Sequence, residues 1–209
     1  IMLQFITHHT ERYDEVSAAE AVLRGGCRWI QLRMKDAPSQ AVVEAGRAIG
    51  DMCRKAGATF ILDDRADLVD ELQADGVHLG KNDMPVEQAR GLLGDDRIIG
   101  ATANTFDDIR RAAAAGADYI GLGPFRFTTT KRNLSPVIGI DGYRSIMERC
   151  RQEGIRLPIV AIGGIVARDI EAIMSTGIDG IALSGALLQA ADTTEETQKI
   201  ISIINRYKQ

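Results

Sequence analysis

The stretch ADYIGLG, residues 117–123, decides the fold, because variants of it recur along the chain. Each variant is a short apolar run that follows a polar residue and comes after helix-like sequence. The other copies are ADGVHLG (74–80), IDGIALS (178–184) and, more weakly, CRWIQLR (27–33). A repeated unit of this kind predicts repeated strand–helix structure.

The spacing of the copies predicts further strands between them. Arg28, Asp75, Asp118 and Asp179 occupy equivalent positions and are 47, 43 and 61 residues apart. A strand–helix unit takes about 20 to 25 residues, so each interval has room for one more strand. The additional candidates are LQFIT (3–7), TFILDD (59–64), RIIGAT (97–102) and LPIVAIGG (157–164).

Amphipathic stretches separate the eight strand candidates. Residues 39–57 and 105–116 carry apolar residues at helical spacing, and each stretch ends at a glycine. This alternation predicts one α/β domain over residues 1–209, a closed (β/α)8 barrel. A doubly wound open sheet is the alternative, but it would not readily repeat a unit at every second strand.

Composition limits the classes of function. No apolar run approaches the roughly 18 residues that span a bilayer, and IMLQFITHH lacks the basic region of a signal peptide. The net charge of −4 is interspersed, which argues against a nucleic-acid surface. Cys27, Cys53 and Cys150 are too scattered for a disulfide framework or a zinc site, and they favour a cytoplasmic location.

Barrel active sites lie at the carboxyl ends of the strands, where this sequence places complementary charges. Gln31, Arg33 and Lys35 alternate at the end of the second strand and therefore share a face. Asp64 and Asp83 follow adjacent strands and suit Mg2+, which shares its coordination shell with water and phosphate. Glycines after strands seven and eight, in IGGI and LSGA, offer backbone amides to a phosphate at helix N-termini. The mouth is thus predicted to bind two anionic small molecules.

Six motifs in this order resemble thiamine phosphate synthases over essentially the whole chain: QLRMK, DDRADL, DGVHLGKNDMP, GADYIGLGP, TTTK and AIGGI. The resemblance implies that hydroxymethylpyrimidine diphosphate condenses with a thiazole phosphate, releasing diphosphate. Mg2+ and cations would stabilise the departing group, and the thiazole nitrogen would trap a pyrimidine methylene cation.

The resemblance also implies residue roles. Arg33, Lys35 and Lys131 would be the catalytic cations, and Asp64 and Asp83 would ligate Mg2+. The implied substrate-binding residues are Gln31, Arg33, Lys35, Asp63, Thr102, Thr128, Thr130, Lys131, Gly164, Ser184 and Gly185. Residues 127–133, FTTTKRN, would form a lid that excludes water. A homodimer is compatible with the resemblance, although the sequence identifies no exposed apolar stripe.

Several positions depart from the family pattern. Asp63 replaces a usual Asn and would either perturb pyrimidine recognition or strengthen metal binding. Lys81 replaces a usual Gln, Thr102 and Asn104 replace Ser and His, and Gly185 replaces a frequent Ser. A related branch, the thiazole tautomerases, relies on that histidine for proton transfer, which an Asn cannot perform.

Two alternatives remain open from the sequence: a thiazole tautomerase-like enzyme, and a non-catalytic barrel that binds a phosphorylated ligand. Asp75, Asp118 and Asp179 precede strands and are expected to act as structural caps. His78 is expected to be packed or to face a helix.

Overall fold

The strands of the computed structural model, which describes residues 3–127 and 136–207, all run in parallel. They are β1 (Leu3–Ile6), β2 (Trp29–Leu32), β3 (Thr59–Asp63), β4 (Gly76–Leu79), β5 (Ile98–Ala103), β6 (Tyr119–Leu122), β7 (Ile159–Ala161) and β8 (Gly180–Leu183). Each strand pairs with the next, and β8 pairs with β1, so the sheet closes into a barrel. The predicted (β/α)8 fold is confirmed; that it forms one domain over 1–209 stays a prediction.

Helices follow the strands and cover the barrel. They are α1 (Glu15–Arg24), α2 (Ser39–Ala56), α3 (Val69–Leu72), α4 (Val86–Leu93), α5 (Phe106–Ala115), α6 (Gly139–Gln152), α7 (Ile170–Met174), α8 (Gly185–Leu188) and α9 (Thr193–Asn205), with 3-10 turns at Ala66–Leu68 and Ala167–Asp169. Gly57 and Gly116 follow α2 and α5, as the sequence predicted. Among the described residues, no helix is long and apolar enough to cross a membrane.

The helices are amphipathic, and their apolar faces pack on the outside of the barrel. The main core lies between sheet and helices and contains residues such as Phe5, Ile49 and Ile109, none of them exposed. A second, smaller cluster fills part of the barrel interior and includes Ile61, Tyr119 and Val160. Because alternate strand residues face opposite sides, a strand can contribute to both clusters, as β3 does with Phe60 and Leu62 in the first and Ile61 in the second.

The repeated aspartates are structural, as predicted. Each lies just before an even-numbered strand, and its carboxylate accepts a hydrogen bond from a backbone N–H of the preceding strand. The distances are 2.7 Å from Phe60 N to Asp75, 2.8 Å from Ile99 N to Asp118 and 2.8 Å from Ile159 N to Asp179. We call these three contacts the floor clamps. They join β3 to β4, β5 to β6 and β7 to β8 at the end of the barrel opposite the predicted site.

Candidate active site

The ends of β2, β3 and β4 bring together the charged residues that the sequence predicted for the mouth. These strands are neighbours in the barrel, with Leu32 beside Leu62 and Asp63 beside His78. Arg33 and Lys35 follow β2, Asp63 ends β3 and Asp64 comes next. Since all the strands are parallel, their carboxyl ends share one rim.

Asp63 is the most deeply placed charge of this rim. Its Oδ2 lies 3.9 Å from Arg33 Nε, a distance that allows an ion pair but not a hydrogen bond. That oxygen is buried and has no hydrogen-bond partner among the described residues. Burial raises the pKa of Asp63 to about 6; Arg33 and Lys35 lower it, while Asp83 and Asp64 raise it further. Four neighbouring charged groups therefore act on Asp63.

Asp64 and Asp83 form a pair of carboxyl groups at this rim. Asp64 adopts a left-handed backbone conformation with φ of 67°, and its N–H donates to the His78 carbonyl at 2.9 Å. Asp83 is held by the Gly80 N–H, 2.7 Å from its Oδ2. Burial raises the pKa of Asp64, and the charge and hydrogen bond of Asp83 raise it further. Left-handed backbone in a residue other than glycine is uncommon and concentrates at functional sites.

The Asp64–Asp83 pair fits a hard divalent cation. A carboxyl group whose ionisation is opposed by a neighbouring carboxylate gains free energy when a cation comes between the two. Among the residues that the structure describes, no group of three or more His, Cys, Asp and Glu side chains converges on one point. Two carboxylates are nevertheless a usual protein contribution to Mg2+, whose other ligands are water and substrate phosphate.

Gln31 and Thr102 are both joined to polar groups inside the barrel. Gln31 Nε2 donates to Gln4 Oε1 at 3.2 Å. Thr102 Oγ1 lies 2.9 Å from His78 Nε2, and His78 Nδ1 lies 2.7 Å from the Tyr119 hydroxyl. His78 is buried, as expected, but it does not face a helix. Its ring lies inside the barrel because residue 78 has the inward-facing parity of β4.

Lys81 and Asn104, two departures from the family pattern, stabilise the loops behind the rim. Lys81 Nζ lies 2.9 Å from Asp108 Oδ2, which also accepts a hydrogen bond from the Asn104 N–H. Burial alone would raise the pKa of Asp108, but hydrogen bonds from Lys81, Asn104 and Arg111 lower it to about 2. The Asn104 side chain donates to the Gly123 carbonyl at 2.6 Å.

The loop after β7 is anchored to the loop after β6. Arg126 forms a two-point ion pair with Asp169, at 2.7 and 2.8 Å, and also donates to the Gly164 carbonyl at 2.7 Å. The Arg126 N–H donates to the Gly163 carbonyl. Asp169 in turn accepts the Val166 N–H. The glycine loop that was predicted to bind phosphate is therefore held in place from two sides.

The helices after β7 and β8 differ from the sequence prediction. IGGI leads into a 3-10 turn and the five-residue helix α7, and LSGA leads into the four-residue helix α8, after which α9 follows. Such short helices have small dipoles, so any phosphate contact there depends on individual backbone amides. Ser184 and Gly185 still occupy the end of β8 at the rim, and both are half-buried.

Part of the predicted site lies outside the described residues. Thr128, Thr130 and Lys131 belong to this part, with most of the predicted lid. Three described residues near the site, Gln4, Tyr119 and Asp169, were not predicted from the sequence. The alternation of β6 could have identified Tyr119, because it shares the inward parity of Gly121.

These features define a (β/α)8-barrel enzyme whose rim combines acidic and basic side chains with an anchored glycine loop. Comparison with known proteins is more specific. A family model described as thiamine monophosphate synthase matches residues 3–187. The chain therefore belongs to the thiamine monophosphate synthase family. The predicted family and enzyme class, a transferase, are confirmed.

Individual relatives support the same assignment. The thiamine-phosphate synthase of Bacteroides fragilis is 57% identical over 203 residues, which cover 97% of this chain and 100% of that protein. That of Phocaeicola vulgatus is also 57% identical and covers 97% of this chain and 98% of that protein. The solved thiamine phosphate pyrophosphorylase of Pyrococcus furiosus has a TM-score of 0.87 at 35% identity and covers 100% of this chain and 97% of that one.

Proposed function

We propose that this chain condenses 4-amino-5-hydroxymethyl-2-methylpyrimidine diphosphate with hydroxyethylthiazole phosphate to give thiamine phosphate and diphosphate. Family membership over nearly the full length supports the reaction. The observation that carries the proposal for the site is that one rim gathers Asp63, Asp64 and Asp83 with Arg33 and Lys35, with Arg33 Nε 3.9 Å from Asp63 Oδ2.

The proposed reaction needs no acid, base or covalent nucleophile from the protein. The bond between the pyrimidine methylene and the diphosphate oxygen breaks, and the oxygen leaves with the electron pair. The thiazole nitrogen then donates its lone pair to the methylene cation. Arg33 and Lys35 bind diphosphate oxygens and stabilise the negative charge that develops during departure. Lys131 is proposed to add to this charge, and residues 127–133 to exclude water.

Mg2+ is the cofactor that we propose for this site, with Asp64 and Asp83 as its protein ligands. When bound, it would neutralise diphosphate charge as a Lewis acid. The left-handed backbone at Asp64 and the Gly80 hydrogen bond to Asp83 hold the two carboxyl groups together. Asp63, whose buried Oδ2 has no hydrogen-bond partner among the described residues, is proposed to contact the pyrimidine part of the substrate.

The second substrate is proposed to bind on the other side of the rim. Gly164, Ser184 and Gly185, with Thr128 and Thr130, would bind the thiazole phosphate through backbone amides and hydroxyl groups. Gln31 and Thr102 would bind the pyrimidine diphosphate. This arrangement holds both reactants in one orientation, which supplies a large part of the rate in a reaction without acid–base chemistry.

Asn104 argues against the tautomerase alternative. Its amide donates to the Gly123 carbonyl and has no pKa that would let it shuttle a proton. The rim charges argue against a non-catalytic barrel, because phosphate binding alone would not require Asp64 and Asp83 side by side. We further propose a cytoplasmic location, supported by three buried free thiols. Small-molecule partners alone, without nucleic acid or membrane, and a homodimer stay predictions.

The decisive experiment is to incubate the pure protein with both substrates and Mg2+ and to measure thiamine phosphate and released diphosphate. Asp64→Ala is expected to abolish turnover while thiazole phosphate binding remains nearly intact. Asp51→Ala, which removes an exposed carboxylate on the outer helix α2, is the matched control and should keep full activity. Normal turnover by Asp64→Ala would contradict the metal assignment, and no product from the wild type would contradict the function.

A further inference from the structure

A continuous chain of hydrogen bonds crosses the interior of the barrel and ends at the rim. Gln31 donates to Gln4 at 3.2 Å, and Gln4 donates to the Tyr119 hydroxyl at 3.2 Å. Tyr119 bonds His78 at 2.7 Å, and His78 bonds Thr102 at 2.9 Å. Because β1 and β6 are not neighbours in the sheet, the Gln4–Tyr119 bond must run through the barrel interior. We call these five residues the interior chain.

The interior chain has a defined polarity. A phenol hydroxyl has a single proton to donate. Because the Tyr119 oxygen accepts a hydrogen bond from Gln4, the Tyr119 proton is donated to His78 Nδ1. A neutral imidazole whose Nδ1 accepts carries its proton on Nε2, which then donates to Thr102 Oγ1. The hydroxyl proton of Thr102 is therefore directed away from His78.

The barrel is shaped to contain these rings. A Cβ on Gly100 would lie 2.1 Å from the Cζ of Tyr119, and a Cβ on Gly121 would lie 3.1 Å from the Cε1 of His78. Trp29 packs edge-on against Tyr119, with ring centroids 4.8 Å apart. Polar groups at such depth are costly unless they are bonded to one another, and apolar side chains could fill the same volume. A role beyond packing would explain the retained polar groups.

We propose that Gln4, Tyr119 and His78 are positioning residues, which fix the Thr102 hydroxyl as a hydrogen-bond donor to an acceptor atom of the pyrimidine diphosphate. This inference rests on the proposed function, because it takes the rim beside Thr102 as the binding site of that substrate. Thr102 is half-buried, whereas Tyr119 and His78 are buried, so Thr102 alone of these three can reach a molecule in the mouth. Tyr119 and His78 thus act on the substrate through Thr102.

Kinetics of single and double variants test this dependence. Tyr119→Phe leaves His78 Nδ1 without its donor, and Thr102→Val removes the hydroxyl with little change in volume. Each variant is expected to lower kcat/KM for the pyrimidine diphosphate about 10-fold. If Tyr119 acts through Thr102, the double variant loses no more than Thr102→Val alone. Thr102→Ser, which keeps the hydroxyl, should have a kcat/KM much closer to the wild-type value than Thr102→Val has. Multiplied losses in the double variant would overturn the proposal.

Tyr143→Phe is the matched control. Tyr143 is fully buried, and its hydroxyl donates to the Leu122 carbonyl at 2.8 Å, outside the barrel interior. Tyr143→Phe therefore removes a buried hydrogen bond, as Tyr119→Phe does, but leaves the interior chain intact. Tyr119→Phe and Tyr143→Phe are expected to lower the melting temperature similarly, while only Tyr119→Phe lowers kcat/KM. Equal kinetic losses in both variants would indicate a merely structural effect and would overturn the proposal.

A measurement on the wild-type protein tests the polarity independently of turnover. The chain has three histidines, and His8 and His9 are exposed, so 15N NMR with a His78→Gln variant for assignment can isolate the His78 ring. We expect a proton on Nε2 and none on Nδ1. A proton on Nδ1, or a doubly protonated ring, would overturn the polarity. A wild type without turnover would contradict the proposed function instead, and this spectrum would still decide the polarity.

Discussion

The carboxyl groups of Asp64 and Asp83 lie close together at the rim, although they follow different strands. This proximity raises the pKa of Asp64, in addition to the effect of burial, because a second negative charge nearby opposes ionisation. The left-handed conformation of Asp64 adds a local cost. The rim thus holds Asp64 where its ionisation is opposed, as is common where a ligand completes the arrangement.

Asp83→Asn is expected to weaken the binding of Mg2+ between Asp64 and residue 83. With one negative charge removed, the variant should lose about 100-fold or more in Mg2+-dependent turnover. It should also lose the increase in melting temperature that Mg2+ gives the wild type, because a ligand stabilises only the state that binds it. Thermal unfolding with and without Mg2+ measures this. A variant stabilised by Mg2+ as strongly as the wild type would show that the ion binds elsewhere.

Asp63 should make stability depend on pH. Its pKa of about 6 lies above the value of about 3.9 for an unfolded aspartate, so the folded chain binds the proton more tightly. The stabilising effect of this proton is complete below pH about 4 and is lost as the pH rises through 6, a change of roughly 3 kcal/mol.

Asp63→Asn, which keeps the shape without the charge, is the matched comparison for this effect. In the presence of a chelator, the variant should be more stable than the wild type by roughly 2 to 3 kcal/mol at pH 8, and the difference should shrink towards pH 4. Denaturant unfolding at a series of pH values measures both proteins. A constant difference across this range would contradict the raised pKa.

Gly185 and Gly164 should respond differently to alanine. A Cβ on Gly185 would meet only the side-chain nitrogen of Gln189, at 3.7 Å, so Gly185→Ala should leave the melting temperature unchanged. If a phosphate contacts the amide of residue 185 closely, the methyl group should raise KM for the thiazole phosphate about 10-fold. Steady-state kinetics with the pyrimidine substrate saturating checks this.

Gly164→Ala serves as the contrast. Its φ is +69° and its Cβ would lie 3.0 Å from the Arg126 backbone oxygen, so the substitution should lower stability by about 1 kcal/mol or more. An unchanged KM in Gly185→Ala would argue against phosphate binding at residue 185.

Arg126→Lys should weaken the anchoring of the loop after β7 while it keeps the positive charge at residue 126. Lysine cannot reproduce the two-point bond to Asp169 together with the bond to the Gly164 carbonyl. We expect a several-fold higher KM for the thiazole phosphate, a nearly unchanged kcat, and a stability loss below about 1 kcal/mol. Arg144→Lys, at an exposed pair with Asp141 on α6, is the control. Equal effects on KM in both variants would exclude a specific role for Arg126.

The architecture could be predicted because one sequence unit recurs at every second strand and is recognisable from the sequence alone. Asp75, Asp118 and Asp179 mark equivalent positions, and alternating residues at strand ends indicate the rim. Charged residues that follow adjacent parallel strands, such as Arg33 and Asp64, must lie near one another in a closed barrel.

Other features depend on tertiary packing and could not be predicted in the same way. His78 faces inward because glycines on two neighbouring strands leave room for its ring and that of Tyr119, which a single strand pattern does not reveal. The burial of Asp63 arises only when the barrel is packed, and the residues next to it in the sequence do not report it. The helices after β7 and β8 have only five and four residues, and a glycine motif marks where a helix begins but does not report its length.

The floor clamps should affect how fast circular permutants of the barrel refold. Each clamp joins residues only 15, 19 or 20 positions apart and so closes within one two-strand segment. A circular permutant opened between Asp95 and Asp96 would keep all three segments whole. One opened between β5 and β6 would place Ile99 and Asp118 near opposite ends of the polypeptide. We expect the first to refold faster, because each local closure costs less chain entropy.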